Sequence, residues 1–233
     1  MKLNKKLFNE QGYYLIKNAI EPTLLAHTRY RAIELKENKM HLEGQPREWG
    51  TGTYWKGLEM ASKLDTELFK CYTHPSLFRI VSTLLDTKTP YLFNDQVVVK
   101  MPNEDFSFGE HFDNQHGPDP IGALNNEFKT INFLWALTDA PKKSGPLEIL
   151  NKKTNQWDLI EAKAGDIIAI DGNTYHRSSA NLTDKPRALY ACVYSNKKLE
   201  FQKFYSQKWT FCNCKEISNM KLPKEENSLW EKV

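Results

Sequence analysis

The sequence predicts a mostly β protein with flanking helices, built on an antiparallel sandwich or jelly roll. Apolar residues at helical spacing are confined to about residues 7–86. From about residue 91 the chain shows short apolar or alternating runs, which turn signals such as Ser144-Gly145-Pro146 and Ala164-Gly165-Asp166 separate. Many short strands at this spacing favour such a β core, with the helices packed outside it.

Three helices and one long loop are predicted in the first part. Pro22 suits the first turn of a helix. An apolar stripe at helical spacing follows it, made of Leu24, Leu25, Thr28, Ala32 and Leu35. A second helix is predicted around Leu64–Tyr72 and a third over Leu77–Leu85. Gly44–Gly57 has little periodicity and is predicted to be a loop.

Six strands are predicted in the second part, each as a short apolar or alternating run. They are Tyr91–Met101, Thr130–Leu137, Pro146–Leu150, Gln156–Glu161, Asp166–Asp171 and Arg187–Tyr194. No change in composition marks a flexible linker, so one domain is expected over residues 1–233.

Composition and charge limit the class of protein. The 32 Lys and Arg against 29 Asp and Glu give a formal charge of +3, which is too small to favour nucleic acid or a membrane surface as a partner. The four cysteines form no dense disulfide framework. No apolar run is long enough for a membrane span, and no signal-peptide core follows the N-terminal lysines. We therefore expect a soluble cytoplasmic protein.

His111 and Asp113 form the first candidate group. On a strand, side chains at i and i+2 point to the same face, so an imidazole and a carboxylate could converge on one metal ion. Taken alone, this pair is also consistent with a surface histidine beside a turn aspartate.

His176 and Arg187 are the second and third candidates. His176 follows the apolar strand ending near Ile170 and could face the interior, although a half-buried structural histidine fits as well. Arg187 shares its strand face with Leu189, Ala191 and Val193, so an inward guanidinium there needs an anionic partner. The alternative is an edge arginine that projects into solvent.

Together these residues match a known metal chemistry. Two histidines and one carboxylate form the facial triad of non-haem Fe(II) sites, which leaves open coordination positions for a 2-oxo acid and dioxygen. An arginine deeper in the pocket could hold the far carboxylate of 2-oxoglutarate through two parallel hydrogen bonds.

Several ordered segments carry a family resemblance. They are Phe8-x-x-x-Gly12-Tyr13-Tyr14-Leu15-Ile16-Lys17, His111-Phe112-Asp113, Trp135-Ala136-Leu137-Thr138-Asp139-Ala140, Ser144-Gly145-Pro146-Leu147, Ala164-Gly165-Asp166, and the spacing from His176 to Arg187. In this order they resemble the phytanoyl-CoA dioxygenase (PhyH-like) family of Fe(II)/2-oxoglutarate-dependent oxygenases.

The resemblance implies a double-stranded β-helix (a cupin-like jelly roll), with a helical flank over about residues 1–90 and a core over about 91–205. It implies Fe(II) held by His111, Asp113 and His176, with 2-oxoglutarate as co-substrate paired to Arg187. It also implies that the protein uses O₂ to hydroxylate an unactivated C–H bond of a small-molecule substrate, with release of succinate and CO₂. Halogenation is not implied, because Asp113 is retained. By family position, further cofactor-site candidates are Asn132, Ser178, Phe108, Asn94 and Gln96.

Some points stay open from the sequence. Ser144 and the segment 151–154 depart from the family pattern, so the prime substrate is not predicted. The oligomeric state is not predicted either. The loop 114–126 could act as a lid, and Cys212 and Cys214 have no assigned role. The alternatives are a cupin-like metal protein that does not use 2-oxoglutarate and a non-catalytic binding protein on the same fold.

Overall fold

The computed structural model describes residues 4–38, 56–63, 65–116 and 128–197. Most of the predicted loop Gly44–Gly57, most of the candidate lid, and Cys212 and Cys214 lie outside these residues. Within them, no helix has the length and apolar character needed to cross a bilayer.

Among the described residues, four α-helices lie before the first long strand, and side chains cap three of them. They are α1 (Lys5–Gln11), α2 (Pro22–Glu37), α3 (Thr66–Tyr72) and α4 (Pro75–Leu84). The Asn4, Glu21 and Asp65 side chains accept hydrogen bonds from backbone N–H groups in the first turns of α1, α2 and α3. Gly12 ends α1 in the left-handed region at φ 84°, where glycine carries no Cβ penalty.

The described part of the chain has ten strands in two antiparallel sheets. They are β1 (Tyr13–Ile16), β2 (Gly57–Glu59), β3 (Tyr91–Lys100), β4 (Phe108–His111), β5 (Thr130–Ala136), β6 (Leu147–Asn151), β7 (Gln156–Ile160), β8 (Ile167–Asp171), β9 (His176–Ser178) and β10 (Arg187–Ser195). The larger sheet has the order β1-β8-β5-β10-β3-β2 and the smaller has the order β4-β9-β6-β7. The predicted mostly β fold with a jelly-roll core and flanking helices is confirmed.

Each face of the larger sheet packs against a different layer, as β10 shows. Tyr190 and Cys192 belong to a buried cluster that includes residues of α2, α3 and α4. Leu189 and Ala191 point the other way, into a second cluster shared with Leu147 and other residues of the smaller sheet. The period-two alternation of the strand therefore separates a helix-packed face from a face inside the β sandwich.

Tyrosine hydroxyls attach α3 to the larger sheet. Tyr72 Oη donates to the Val193 carbonyl at 2.8 Å, and Tyr194 Oη donates back to the Tyr72 carbonyl at 2.6 Å. Tyr190 Oη lies within hydrogen-bond distance of the Leu68 carbonyl and of buried Asp95. These bonds satisfy buried polar groups and fix the helix-packed face of β10, the strand that carries Arg187.

Helix α1 and strand β2 are among the elements that were not predicted. Helix α1 buries only Phe8, so it leaves no helical stripe in the sequence. Strand β2 has three residues and begins at the last residue of the predicted loop. Elements this short give too few repeats for periodicity to detect.

Candidate active site

Strands β4 and β9 bring the two candidate histidines together. His111 ends β4, His176 begins β9, and the two residues are register partners in the smaller sheet. Their imidazole centroids lie 4.3 Å apart. Asp113, however, does not lie on a strand with His111. It begins a 3₁₀ helix over Asp113–His116, so the predicted same-face placement on a strand is wrong, and the turn after β4 brings its carboxylate to the histidines.

His111, Asp113 and His176 form a group that could hold a metal ion. One ligand atom from each lies within 4.8 Å of the others. His176 Nε2 is 3.5 Å from Asp113 Oδ1. The Nδ1 atoms of His111 and His176 are 2.7 Å from the Gly109 carbonyl and 3.1 Å from the Thr174 carbonyl. Since a carbonyl only accepts, each Nδ1 carries the proton and each Nε2 keeps its lone pair for a metal.

The Asn132 side chain hydrogen-bonds to one carboxylate oxygen of Asp113. Its side-chain Nδ2 donates to Asp113 Oδ2 at 3.2 Å, which leaves Oδ1 as the oxygen nearest His176. Asn132 Oδ1 is buried and has no hydrogen-bond partner in the described chain. Asn132 was predicted as a cofactor contact; the contact seen here is with the candidate metal ligand.

Asn114 fixes the turn that carries Asp113. Its Nδ2 donates to Asn173 Oδ1 and its Oδ1 accepts from Thr130 Oγ1, both at 2.7 Å. Its backbone N–H donates to the Gly172 carbonyl at 3.0 Å. These bonds connect the 3₁₀ helix, β5 and the loop before His176, so the two parts of the candidate metal site are held by one network.

A cavity of about 530 Å³ contains these groups, and the larger sheet forms one of its walls. Register pairing arranges that wall in rows. Asn94, Val193 and Asn132 form one row and Gln96, Ala191 and Leu134 form the next. All six residues line the cavity. Asn94 Oδ1, like that of Asn132, is buried without a hydrogen-bond partner in the described residues.

Arg187 lines the same cavity, on the strand face predicted for it. Its side chain is buried, and its Nε has no hydrogen-bond partner in the described part of the chain. Burial lowers the pKa of Arg187 to about 10, which leaves the guanidinium charged at neutral pH. A buried and incompletely bonded guanidinium is costly unless an anion joins it. The predicted solvent-facing alternative for Arg187 does not apply.

The remaining predicted residues lie at or beside the cavity. Phe108 lines it, and its ring lies 5.5 Å from Lys100 Nζ. Ser178 is buried on the inward face of β9, and its Oγ is 2.8 Å from Lys100 Nζ. Lys100 was not among the predicted site residues. The sequence contained an indication of Lys100, because it is separated from Asn94 and Gln96 by even numbers of residues on β3 and so lies on the same strand face.

A comparison with protein families decides the assignment. A family model described as phytanoyl-CoA dioxygenase (PhyH) matches residues 8–189. The chain belongs to the PhyH family. The predicted resemblance is therefore confirmed, and the match extends from α1 into β10.

Relatives of this PhyH protein include a dioxygenase, af480, from Aspergillus fumigatus (strain ATCC MYA-4609 / CBS 101355 / FGSC A1100 / Af293). It is 35% identical over 79 residues, which cover 28% of this chain and 26% of that protein. The match thus spans about a quarter of that relative's length.

Solved structures share the fold at low sequence identity. The 2-oxoglutarate-dependent epimerase SnoN from nogalamycin biosynthesis has a TM-score of 0.69 at 19% identity, covering 82% of this chain and 80% of its own. The carbocyclase SnoK from the same biosynthesis has 0.69 at 20%, covering 82% of each chain. EctD from S. alaskensis, with 2-oxoglutarate and 5-hydroxyectoine, has 0.72 at 17%, covering 88% and 79%. At these identities the likeness shows the fold alone.

Proposed function

We propose that this PhyH protein is a non-haem Fe(II)/2-oxoglutarate-dependent dioxygenase that hydroxylates a C–H bond of a small molecule, with release of succinate and CO₂. The observation that carries the proposal is that one cavity contains both the His111, Asp113 and His176 group and the buried guanidinium of Arg187. Family membership supports this reaction class.

The ligand set fits Fe(II). Two imidazoles whose lone pairs lie on Nε2, together with one carboxylate, are the donors of a facial triad with open positions. When bound there, iron would supply activation of dioxygen, with 2-oxoglutarate as the electron source. Asn132 keeps Asp113 in one orientation, and the hydrogen bonds to Gly109 and Thr174 keep the two rings in theirs.

Arg187 fits the distal carboxylate of 2-oxoglutarate. A guanidinium offers a planar pair of donors that matches a carboxylate. The apolar side chains of Leu189 and Ala191 line the wall between Arg187 and the amide row of Asn94 and Asn132. The candidate metal group, a mostly apolar wall and a guanidinium thus line one cavity, and these are the groups that would bind a dicarboxylate chelating the iron.

The retained carboxylate favours hydroxylation over halide transfer, since Asp113 fills the position where a halide would otherwise bind. The solved neighbours include an epimerase and a carbocyclase. That C–H activation ends in hydroxylation here is therefore itself part of the proposal. Asn94 and Gln96 line the cavity, where they would face 2-oxoglutarate or the prime substrate.

The decisive experiment is anaerobic titration of the Fe(II)-loaded protein with 2-oxoglutarate, followed by exposure to oxygen. We expect a weak visible absorption band on titration and succinate formation with oxygen. His176→Ala should lose iron and the band, whereas His27→Ala, which changes an exposed histidine on α2, should keep both. Iron binding without the band or succinate would favour a metal protein that does not use 2-oxoglutarate. Failure to bind iron would favour a non-catalytic binding protein.

A further inference from the structure

Lys100 is a second buried cation beside Arg187. The two residues are register partners on antiparallel β3 and β10. Lys100 is 0% exposed and Arg187 is 2% exposed. Directly opposed residues on one face of an antiparallel pair have Cβ atoms roughly 4.5–5.5 Å apart. Two basic side chains are therefore placed next to each other away from water.

The groups around the Lys100 amine are neutral or positive. Its Nζ is hydrogen-bonded to Ser178 Oγ at 2.8 Å, to the Ser178 carbonyl at 3.3 Å and to the Ser179 carbonyl. The rings of Phe106 and Phe108 lie 5.6 and 5.5 Å away. No carboxylate of the described residues forms an ion pair with Lys100.

The nearest charged groups can be named for each neighbouring element. Arg187 faces Lys100 from β10, and Lys56 faces it from the residue before β2. Lys36 of α2 lies over the same Phe106 ring, where it is paired with Glu104 at 2.7 Å. Burial, followed by the charges of Arg187 and Lys56, lowers the pKa of Lys100 to about 6.

We propose that Lys100 is uncharged in the free protein and takes up one proton when a short dicarboxylate, 2-oxoglutarate in the proposed function, pairs with Arg187. The inference rests on that proposed function. A dianion supplies the direct negative partner that Lys100 lacks among the described residues, and the ammonium form then becomes favourable beside Arg187. Lys100 thus acts as a positioning residue whose charge appears only with the ligand.

The hydrogen bonds around Lys100 suit both protonation states. A neutral amine has two N–H donors and one lone pair, so it can donate to the Ser178 and Ser179 carbonyls and accept from the Ser178 hydroxyl. An ammonium group has three donors and fits the same three oxygen atoms. The incoming proton comes from solvent and forms one N–H bond with the lone pair of Nζ, and no heavy atom needs to move.

The direction of the pH dependence follows from this exchange. Binding raises the pKa of Lys100, so between the free and bound pKa values the complex carries one more proton than the free components. In that window the affinity for 2-oxoglutarate falls by about tenfold for each unit of rising pH. Well below pH 6 Lys100 is already charged, and the uptake vanishes.

Calorimetric titration of the Fe(II)-loaded protein with 2-oxoglutarate, in two anaerobic buffers of different ionisation enthalpy, tests the inference. At pH 7.5 we expect an uptake close to one proton, and at pH 5 close to none. Binding at pH 7.5 with no uptake would overturn the inference and leave the proposed function standing. Absence of 2-oxoglutarate binding under any condition would instead count against the proposed function.

Variants assign the proton to Lys100. Lys100→Met and Lys100→Arg should both bind 2-oxoglutarate with little proton uptake. Lys100→Met should bind it more weakly than the wild type, and the affinity of Lys100→Arg should no longer fall as pH rises. Lys36→Met removes the other buried lysine over Phe106 and should keep the wild-type uptake. Persistence of full uptake in folded Lys100→Arg would show that another group titrates. If neither Lys100 variant folds, absence of proton uptake by the wild type at pH 7.5 still overturns the inference, and an uptake that vanishes at pH 5 still supports it.

Discussion

Asn132 and Asp113 form a hydrogen bond that selects which carboxylate oxygen faces the histidines. The Asn132 amide donates to Oδ2 at 3.2 Å, while Oδ1 lies 3.5 Å from His176 Nε2. A carboxylate held by one oxygen rotates less, so the other oxygen is prepared for a metal ion before the ion arrives. Strand β5 thereby takes part in the candidate metal centre without supplying a ligand.

Loss of this bond should weaken metal binding. We expect Asn132→Leu, which removes the donor but retains similar volume, to reduce Fe(II) affinity by about 10–100-fold. Anaerobic titration against a competing chelator measures the change. Asn94→Leu is the matched control, since Asn94 lies in the same row two strands away, and it should keep the wild-type affinity. Equal Fe(II) affinities for the two variants would contradict the role given to Asn132.

Arg187 should determine the affinity for 2-oxoglutarate rather than for iron. Truncating one partner of a buried charged pair costs about 2–5 kcal/mol, so Arg187→Met should raise the 2-oxoglutarate dissociation constant by at least about 30-fold. Arg187→Lys keeps a charge but loses the planar donor pair. Its affinity for 2-oxoglutarate should therefore lie between those of the wild type and Arg187→Met. Arg79→Met, at an exposed position of α4, serves as the control. A similar loss of iron affinity in Arg187→Met would point to a folding defect instead.

Gly172 should be sensitive to a single added methyl group. A Cβ there would collide with Thr130 Oγ1 and lie 2.8 Å from Asn114 Nδ2, and these two atoms belong to the network beside Asp113. We expect Gly172→Ala to lower the free energy of unfolding by about 1–3 kcal/mol and to weaken Fe(II) binding. Gly109→Ala adds the same methyl group two residues before His111, where no atom of the described residues lies within 4 Å of the added Cβ. Urea unfolding and Fe(II) titration of both variants test this, and equal behaviour would contradict it.

The long strands could be predicted from the sequence because each one buries apolar residues. Predicted Thr130–Leu137 became Thr130–Ala136, and predicted Arg187–Tyr194 became Arg187–Ser195. Arg187 was placed on the correct face by its parity with Leu189. Helix α1 and strand β2 were missed because they bury too few residues to leave a repeat.

The candidate site was less predictable, since its contacts join distant segments. The spacing of His111 and Asp113 suggested one strand face. The strand, however, ends at His111 and a 3₁₀ helix begins at Asp113, which no period-two pattern shows. The bond from Asn132 to Asp113 joins two segments that the sequence separates. Lys100 lies at the end of a predicted strand, where a lysine ordinarily reaches solvent. Its parity with Asn94 and Gln96 indicated the strand face, but its burial beside Arg187 becomes evident only from the register of β3 and β10.

His74 should make the protein less stable in mild acid. Burial lowers its pKa from 6.5 to about 4, so between these values the unfolded chain binds a proton that the folded chain does not. The free energy of unfolding should therefore fall as pH decreases from about 6.5 to about 4, by up to about 3 kcal/mol from this residue. Urea unfolding of the wild type and His74→Gln at pH 7.5 and 4.5 measures the difference in slope. His27→Gln, at an exposed site on α2, should keep the wild-type dependence. If His74→Gln also kept it, the acid sensitivity would arise from other groups, because a buried neutral imidazole is the only source of this slope that the substitution removes.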